Sequence, residues 1–382
     1  ASLRDQAMAG AGAAGSAPGS NLPADPASVA RVEGEIMSVA WRGSFPHVEV
    51  GSESLLDTPI QALDLAVATG AARGPVHLGG GFSLYLPLPD AVASVVHMDP
   101  DELYAPFLED ALDFLVFDFA AGVARGPVAI SAGGVVGIDL TADTVIVARS
   151  VVGESVDGKI DLTESIDVDL DRRLGWTATP LVGVSWTHAP WSAYLSYRGE
   201  IGFETTGDTL LEFELEDSIL SDFLDDFETP VEYLSAWSPA RLASGVAWDQ
   251  GRVRPEIAVR WLDTSSWRDT QGRSPDPEFH DVFELAAAVE GTLAPNLVAR
   301  FGLGLQPSPV PDQGGDSRLA DSDRRVLGLG LGWALPDHPR DGDHTELVLA
   351  AQRQSLASRK VGDSGTLSGG IWMTSLGLVT RL

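Results

Sequence analysis

The side chains in this chain best suited to covalent or metal chemistry are seven histidines, His47, His77, His97, His188, His280, His338 and His344, and they are scattered. No two stand at an HxxxH spacing, and neither a nucleophile elbow nor a Gly-rich phosphate-cradling helix start is present. With no cysteine, thiolate metal ligands, Cys nucleophiles and disulfides are excluded. The residues therefore predict no catalytic set, no metal and no cofactor. A different chemistry is offered by ions set into apolar alternation: Arg198, Glu200, Arg241, Arg254, Glu256, Arg260 and Arg300. A guanidinium presents paired donors that match a carboxylate. Such an arginine can receive the carboxylate of a ligand or pair with an acid of the protein itself, and the sequence leaves both open.

The elements that must position these ions are strands. Forty-one Gly and 24 Pro are too many for a helical protein, while 44% apolar residues are too many for a disordered one. Charge removes another class of partner: 25 Lys and Arg against 55 Asp and Glu leave a net charge of −30, which repels nucleic acid. The uncharged span 6–24 is Ala, Gly, Ser and Pro with little apolar mass, and 174–197 is interrupted by Pro180 and Pro190, so neither is a spanning helix. The second reads as two strands and a turn.

Period-two alternation is clearest at 191–203, where Trp191, Ala193, Leu195, Tyr197, Ile201 and Phe203 share one face and Ser192, Ser196, Arg198 and Glu200 the other. It recurs at 253–261, 297–305 and 128–140. Strands are predicted near 35–45, 58–69, 75–88, 112–125, 127–147, 173–188, 191–207, 232–248, 251–267, 279–293, 296–307, 323–335, 343–357 and 368–382. Their connections alternate between short turns and long loops, as in transmembrane barrels. Trp176 and Trp186 lie ten residues apart on one face; at ~3.3 Å per residue and a tilt of ~40° they are about 25 Å apart along a membrane normal, the height of an apolar band. Trp237 and Trp248 fall on opposite parity, so a bulge near Pro239 is required for them to do the same.

Several stretches together resemble the FadL-type family of outer-membrane transport proteins, which carry long-chain fatty acids and aromatic hydrocarbons into Gram-negative cells. The most specific is Arg300-Phe301-Gly302-Leu303-Gly304, then Pro307-Ser308-Pro309-Val310-Pro311-Asp312, then Asp321-Ser322-Asp323-Arg324 and Leu327-Gly328-Leu329-Gly330. Tyr197-Arg198-Gly199-Glu200-Ile201, Ser238-Pro239-Ala240 with Gly245-Val246-Ala247, and Trp261 with Ser265-Ser266-Trp267 support it. At the start, 7–12 and Asp25-Pro26-Ala27-Ser28 are similar to the family's Gly-rich opening and Asn-Pro-Ala motif, with Asp25 in place of Asn. The final residue, Leu382, replaces a customary aromatic.

The resemblance implies an all-β transmembrane antiparallel barrel of about 14 strands over 35–382, with an N-terminal hatch, residues 1–34, inside the lumen. Asp25, Pro26 and Ala27 would belong to that hatch. A barrel of this size needs a plug or a channel within it, although a Gly- and Ala-rich start also reads as a flexible tail. Gly328, Gly330 and Gly332 would leave room for the hatch. The resemblance further implies passive diffusion of a hydrophobic small molecule without catalysis, capture at outer loops and sideways release through the wall. Loops 89–111 and 208–231 mix apolar residues with acids and are assigned to capture, with Phe107, Leu108, Leu211, Phe213, Leu215 and Phe223 as ligand contacts; packing as an ordinary lid is the competing account. In the lumen, Arg198, Arg254, Arg260 and Arg300 are the candidate head-group ligands. Pro87 and Pro89 would mark the lateral opening, since Pro donates no ladder hydrogen bond. A monomer in the outer membrane of a Gram-negative cell, its signal peptide removed, is expected. Outer-membrane lipid and lipopolysaccharide would surround it, the latter bridged through divalent cations to loop acids. The alternative from another class is a barrel acting as a surface receptor or interaction scaffold, and a soluble β-sandwich is a further rival.

Overall fold

The computed structural model describes residues 2–14, 21–88, 103, 105, 107, 114–139, 144–151, 163–170, 176–213, 227–268, 273–312, 319–335 and 344–382, with backbone alone at 114, 139, 144–151, 163–170, 204–213 and 227–236. The strands are β1 (Gly34–Val50), β2 (Glu53–Leu56), β3 (Ile60–Arg73), β4 (Val76–Pro87), β5 (Phe114–Arg125), β6 (Val128–Asp139), β7 (Thr144–Val151), β8 (Thr163–Leu170), β9 (Trp176–His188) and β10 (Trp191–Arg198). They continue as β11 (Ile201–Phe213), β12 (Phe227–Ser238), β13 (Arg241–Trp248), β14 (Val253–Leu262), β15 (Val282–Ala294), β16 (Leu297–Gln306), β17 (Arg324–Ala334), β18 (His344–Leu356), β19 (Arg359–Val361) and β20 (Gly365–Arg381). Fourteen of them close an antiparallel barrel in the order β1-β3-β4-β5-β6-β9-β10-β13-β14-β15-β16-β17-β18-β20, and β20 pairs back onto β1 from Ile36↔Arg381 to Val50↔Leu367. Closure leaves the ring no free edge.

Alternation does here what the sequence predicted. Outward residues such as Ile257 (66% exposed), Leu303, Leu329 and Leu349 make an apolar outer face, while their neighbours Glu256, Arg300 and Gln352 are buried inside. Trp176, 72% exposed, and Trp186 both point outward from opposite ends of β9. At the short-turn end Trp191 stacks on Trp248 across the β10–β13 ladder, with ring centroids 5.5 Å apart. The tight turns use Gly74, Gly126 and Gly251 at positive φ, a conformation that costs glycine little.

The N-terminal residues lie within the ring. Helix α1 (Leu3–Ala7) packs on β16, β17, β18 and β20, and a 3-10 helix, Pro26–Arg31, packs on β4, β5, β6 and β9 across the lumen. Small wall residues permit this approach. A Cβ on Gly302 would collide with the Met8 backbone and one on Gly79 with the Val29 carbonyl, whereas one on Gly328 would sit 2.6 Å from the Ala7 carbonyl. Gly330 likewise faces Ala7, but Gly332 faces the side chains of Glu346 and Arg300 instead. The first strand begins at Gly34, one residue before the expected boundary.

Three predicted strands divide. The stretch 127–147 splits into β6 and β7, 191–207 into β10 and β11, and 232–248 into β12 and β13. The outer parts leave the ring and form, with β8, a separate sheet in the order β12-β11-β8-β7. Two local features mark the break at 199 and 239: Gly199 stands where a Cβ would strike the Thr179 side chain, and Pro239 lacks a donor. The break also reverses parity. Ile201 and Phe203, expected to share the outward face of Trp191, are buried with Leu22, Val29, Val135 and Leu181. Trp237, 5% exposed, is likewise no counterpart of outward-facing Trp248 but joins an inner aromatic cluster at the long-loop end.

Candidate functional site

Between the N-terminal residues and the wall lies a cavity of 510 Å³, bordered by Ser2, Leu3, Leu22 and Pro23 on one side and by wall residues from β1 round to β18 on the other. Alternation supplies its polar groups, since every second wall side chain must point inward. Six arginines (Arg4, Arg42, Arg198, Arg241, Arg254, Arg300) and four acids (Asp64, Asp118, Glu290, Glu346) line it. The chain carries a net charge of −30, yet this cavity has an excess of cations.

On one side these charges cancel. Glu290, on β15, accepts Arg4 Nε at 3.0 Å and Arg300 Nε at 2.7 Å, and pairs with Arg254 as well. Arg300 reaches on to Glu346 at 2.9 Å. Glu256, next door on β14 and 1% exposed, pairs with Arg4 at 3.4 Å and accepts the Ala14 amide at 2.6 Å. Two wall glutamates thereby hold the first N-terminal turn. Arg42 pairs with Asp64 at 2.7 Å and Arg260 with Glu284 at 3.0 Å.

The other side is different. Arg198 and Arg241 are register partners on the last rung of the β10–β13 ladder, which puts two like charges on adjacent inward positions, an arrangement that disfavours folding. Among the described residues no carboxylate lies within ion-pair distance of either. Arg198 Nη2 donates to Ser238 Oγ and to the Pro239 carbonyl, both at 2.7 Å, and Arg241 Nη2 donates to the Pro23 carbonyl at 2.8 Å. These neutral oxygens consume few of the ten N–H donors of the pair, and the remaining guanidinium surface lines the cavity. Asp118, on β5 and 6% exposed, also lacks a cation within that distance and accepts only the Ser83 hydroxyl, at 3.0 Å.

The candidate arginines thus have different settings: Arg254, Arg260 and Arg300 are each neutralised by a glutamate, while Arg198 is not. Phe107 sits in the mouth cluster, 5.4 Å from Phe279 and 6.2 Å from Trp237, with Trp267 and Val310 beside them. Leu108, Leu215, Phe223 and Pro89 lie outside the described residues. Leu211 and Phe213 are placed by backbone on β11, opposite Phe227 and Ile166 respectively. Pro87 is buried and pairs with Ala62 of β3, whereas the β4–β5 ladder stops at Tyr85↔Val116, two residues earlier. Asp25, Pro26 and Ala27 are buried; burial pushes the Asp25 carboxyl up to about 7, and its Oδ1 has no hydrogen-bond partner.

Arg241 was visible as a lumen ion but not as a head-group candidate, and Asp118 was missed. Its signal was a lone acid within Phe114-Leu115-Val116-Phe117-Asp118-Phe119, at a parity opposite to Phe117 and Phe119. What singles out Arg241 is a ladder contact with Arg198 more than 40 positions away in sequence.

The closed antiparallel 14-strand barrel is the fold of the FadL-type channels. A FadL homologue from Pseudomonas aeruginosa superposes with a TM-score of 0.65 over 99% of this chain and 97% of that one, at 13% identity. The CymD monoaromatic hydrocarbon channel gives 0.63 over 100% and 97% at 12% identity, and the Ralstonia pickettii toluene transporter TbuX 0.58 over 100% and 98% at 12%. No family model matches the sequence, and no curated protein does.

Proposed function

We propose that this protein is a passive channel of the Gram-negative outer membrane for hydrophobic small molecules bearing a carboxylate head, with Arg198 and Arg241 as the head-group site. The observation that carries this reading is the adjacent pair of arginines facing a cavity, with no carboxylate of the described residues in ion-pair contact. Two side-by-side guanidinia are costly unless an anion joins them. Desolvating a carboxylate costs several kcal/mol, and a bidentate guanidinium contact offsets it. The tail adds about 0.8 kcal/mol for each methylene that leaves water, so long chains hold better than short ones and no chemical step is needed.

The apolar outer face fits lipid, and a closed ring suits a monomer. Cargo would be captured at the long-loop end, where Phe107, Trp237, Trp267 and Phe279 gather, pass to the arginine pair, and leave after residues 1–34 shift as a hatch. The early end of the β4–β5 ladder above Pro87 favours sideways release at that seam. An open cavity favours transport over a receptor or scaffold role, which needs only a filled lumen. The test is uptake into proteoliposomes: labelled dodecanoate should enter faster than into protein-free vesicles, and the Arg198→Gln, Arg241→Gln double variant should lose that gain. Uptake unchanged in the double variant would remove the head-group site.

A further inference from the structure

We propose that the head group this cavity accepts is bifunctional: a carboxylate for Arg198 and Arg241 together with a hydrogen-bond donor, a hydroxyl or amide N–H a few atoms away, for Asp118. This rests on the channel reading above and narrows its cargo class. Among the described residues Asp118 has no cation, and Arg198 and Arg241 no acid, within ion-pair distance, although all three line the same cavity. Had these charges only to neutralise each other, a direct contact would be expected, because a buried unpaired ion costs more than an ion pair. They do not meet within ion-pair distance.

Topology explains the separation. From β5 to β10 the ring passes through β6 and β9, three ladder steps, or about 14 Å around the wall at ~4.8 Å per strand. The space between belongs to the cavity, whose lining also includes Ser83 and Val116 beside Asp118. Asp118 is held in place by the Ser83 hydroxyl on one oxygen, so an approaching donor meets an oriented acceptor. A plain fatty acid would satisfy the arginines and leave Asp118 unanswered. A β-hydroxy acid or an N-acyl amino acid would satisfy both.

The probes are dodecanoate, β-hydroxydodecanoate and N-dodecanoylglycine, with binding measured by titration calorimetry on purified full-length protein in detergent. Wild-type protein should bind the hydroxy acid or the acyl amino acid about tenfold more tightly than dodecanoate, the size expected for one hydrogen bond to a charged acceptor. Asp118→Ala should erase that preference, so that the hydroxy acid and the acyl amino acid bind no more tightly than dodecanoate does to the same variant. Asp118→Asn, which preserves shape, should reduce the preference, and serves if the alanine variant does not assemble. The hydroxy acid and the acyl amino acid, compared with each other, tell which donor the site takes. Equal affinity for all three acids, or a preference that survives Asp118→Ala, overturns the proposal while leaving the carboxylate site intact. If no acid binds but dodecane does, the channel reading's carboxylate site fails as well, and with it this inference.

Discussion

The two sides of the lumen use the same residue types for opposite ends. Around Glu290, three arginines and two further glutamates form a closed network in which every charge has a partner, and the network joins N-terminal Arg4 to β14, β15 and β16. Around Arg198, a second arginine stands on the facing rung, and the nearest partners are neutral oxygens. The first arrangement stabilises the protein's own N-terminal turn. The second places two like charges side by side with only neutral oxygens in contact, an arrangement that costs stability; in the proposed function the ligand's carboxylate is what offsets it.

That contrast can be broken at the closed side first. Glu290→Ala leaves Arg4, Arg254 and Arg300 competing for what remains, and should cost about 3–5 kcal/mol, the usual penalty for stripping one partner from a buried pair; thermal unfolding in detergent reads it. A loss below about 1 kcal/mol would mean the network is merely decorative.

The next effect is pH-dependent and sits in the 3-10 helix. Asp25 has a folded-state value near 7 against 3.8 in the unfolded chain, raised by burial, with Arg31 opposing and Glu256 adding to the shift. The folded state therefore holds its proton more tightly. Its contribution is fully present below about pH 4 and falls as pH rises toward 7, a loss of a few kcal/mol at most. Amide exchange across 26–31, corrected for intrinsic rates, should show weaker protection near neutrality than near pH 5, and Asp25→Asn should remove the difference. Protection independent of pH in the wild type would contradict it.

Gly302→Val should cost about 1–3 kcal/mol because the new side chain meets the Met8 backbone. The N-terminal turn has to move, so ion leak in planar bilayers should rise. Smallest, and opposite in sign, is Arg241→Gln: removing one of two neighbouring like charges should leave stability unchanged or raise it by about 0.2–1 kcal/mol. A marked destabilisation there would show that the open side is structural after all.

Much of this architecture was legible in the sequence. Alternation gave all 14 ring strands because each one shows one face to the outside of the barrel and the other to the lumen, and that constraint leaves a period of two wherever a strand exists. Gly199 and Pro239 were visible too, but the reversal of parity at the break was not, since a bend propagates only through packing; Ile201 and Phe203 therefore lie inside and not on the outward face of Trp191. Arg198, Arg254, Arg260 and Arg300 looked alike as inward arginines. Which of them is neutralised depends on Glu284, Glu290 and Glu346, fixed by ladder register and not by spacing along the chain.

The central claim is that Arg198 and Arg241 together hold the head of an apolar acid. A density map of the full-length protein soaked with an ω-brominated dodecanoate tests it directly. The account predicts a carboxylate within hydrogen-bonding distance of both guanidinia, with bromine further along the cavity. Bromine bound elsewhere, with both arginines still facing an empty cavity, would contradict it.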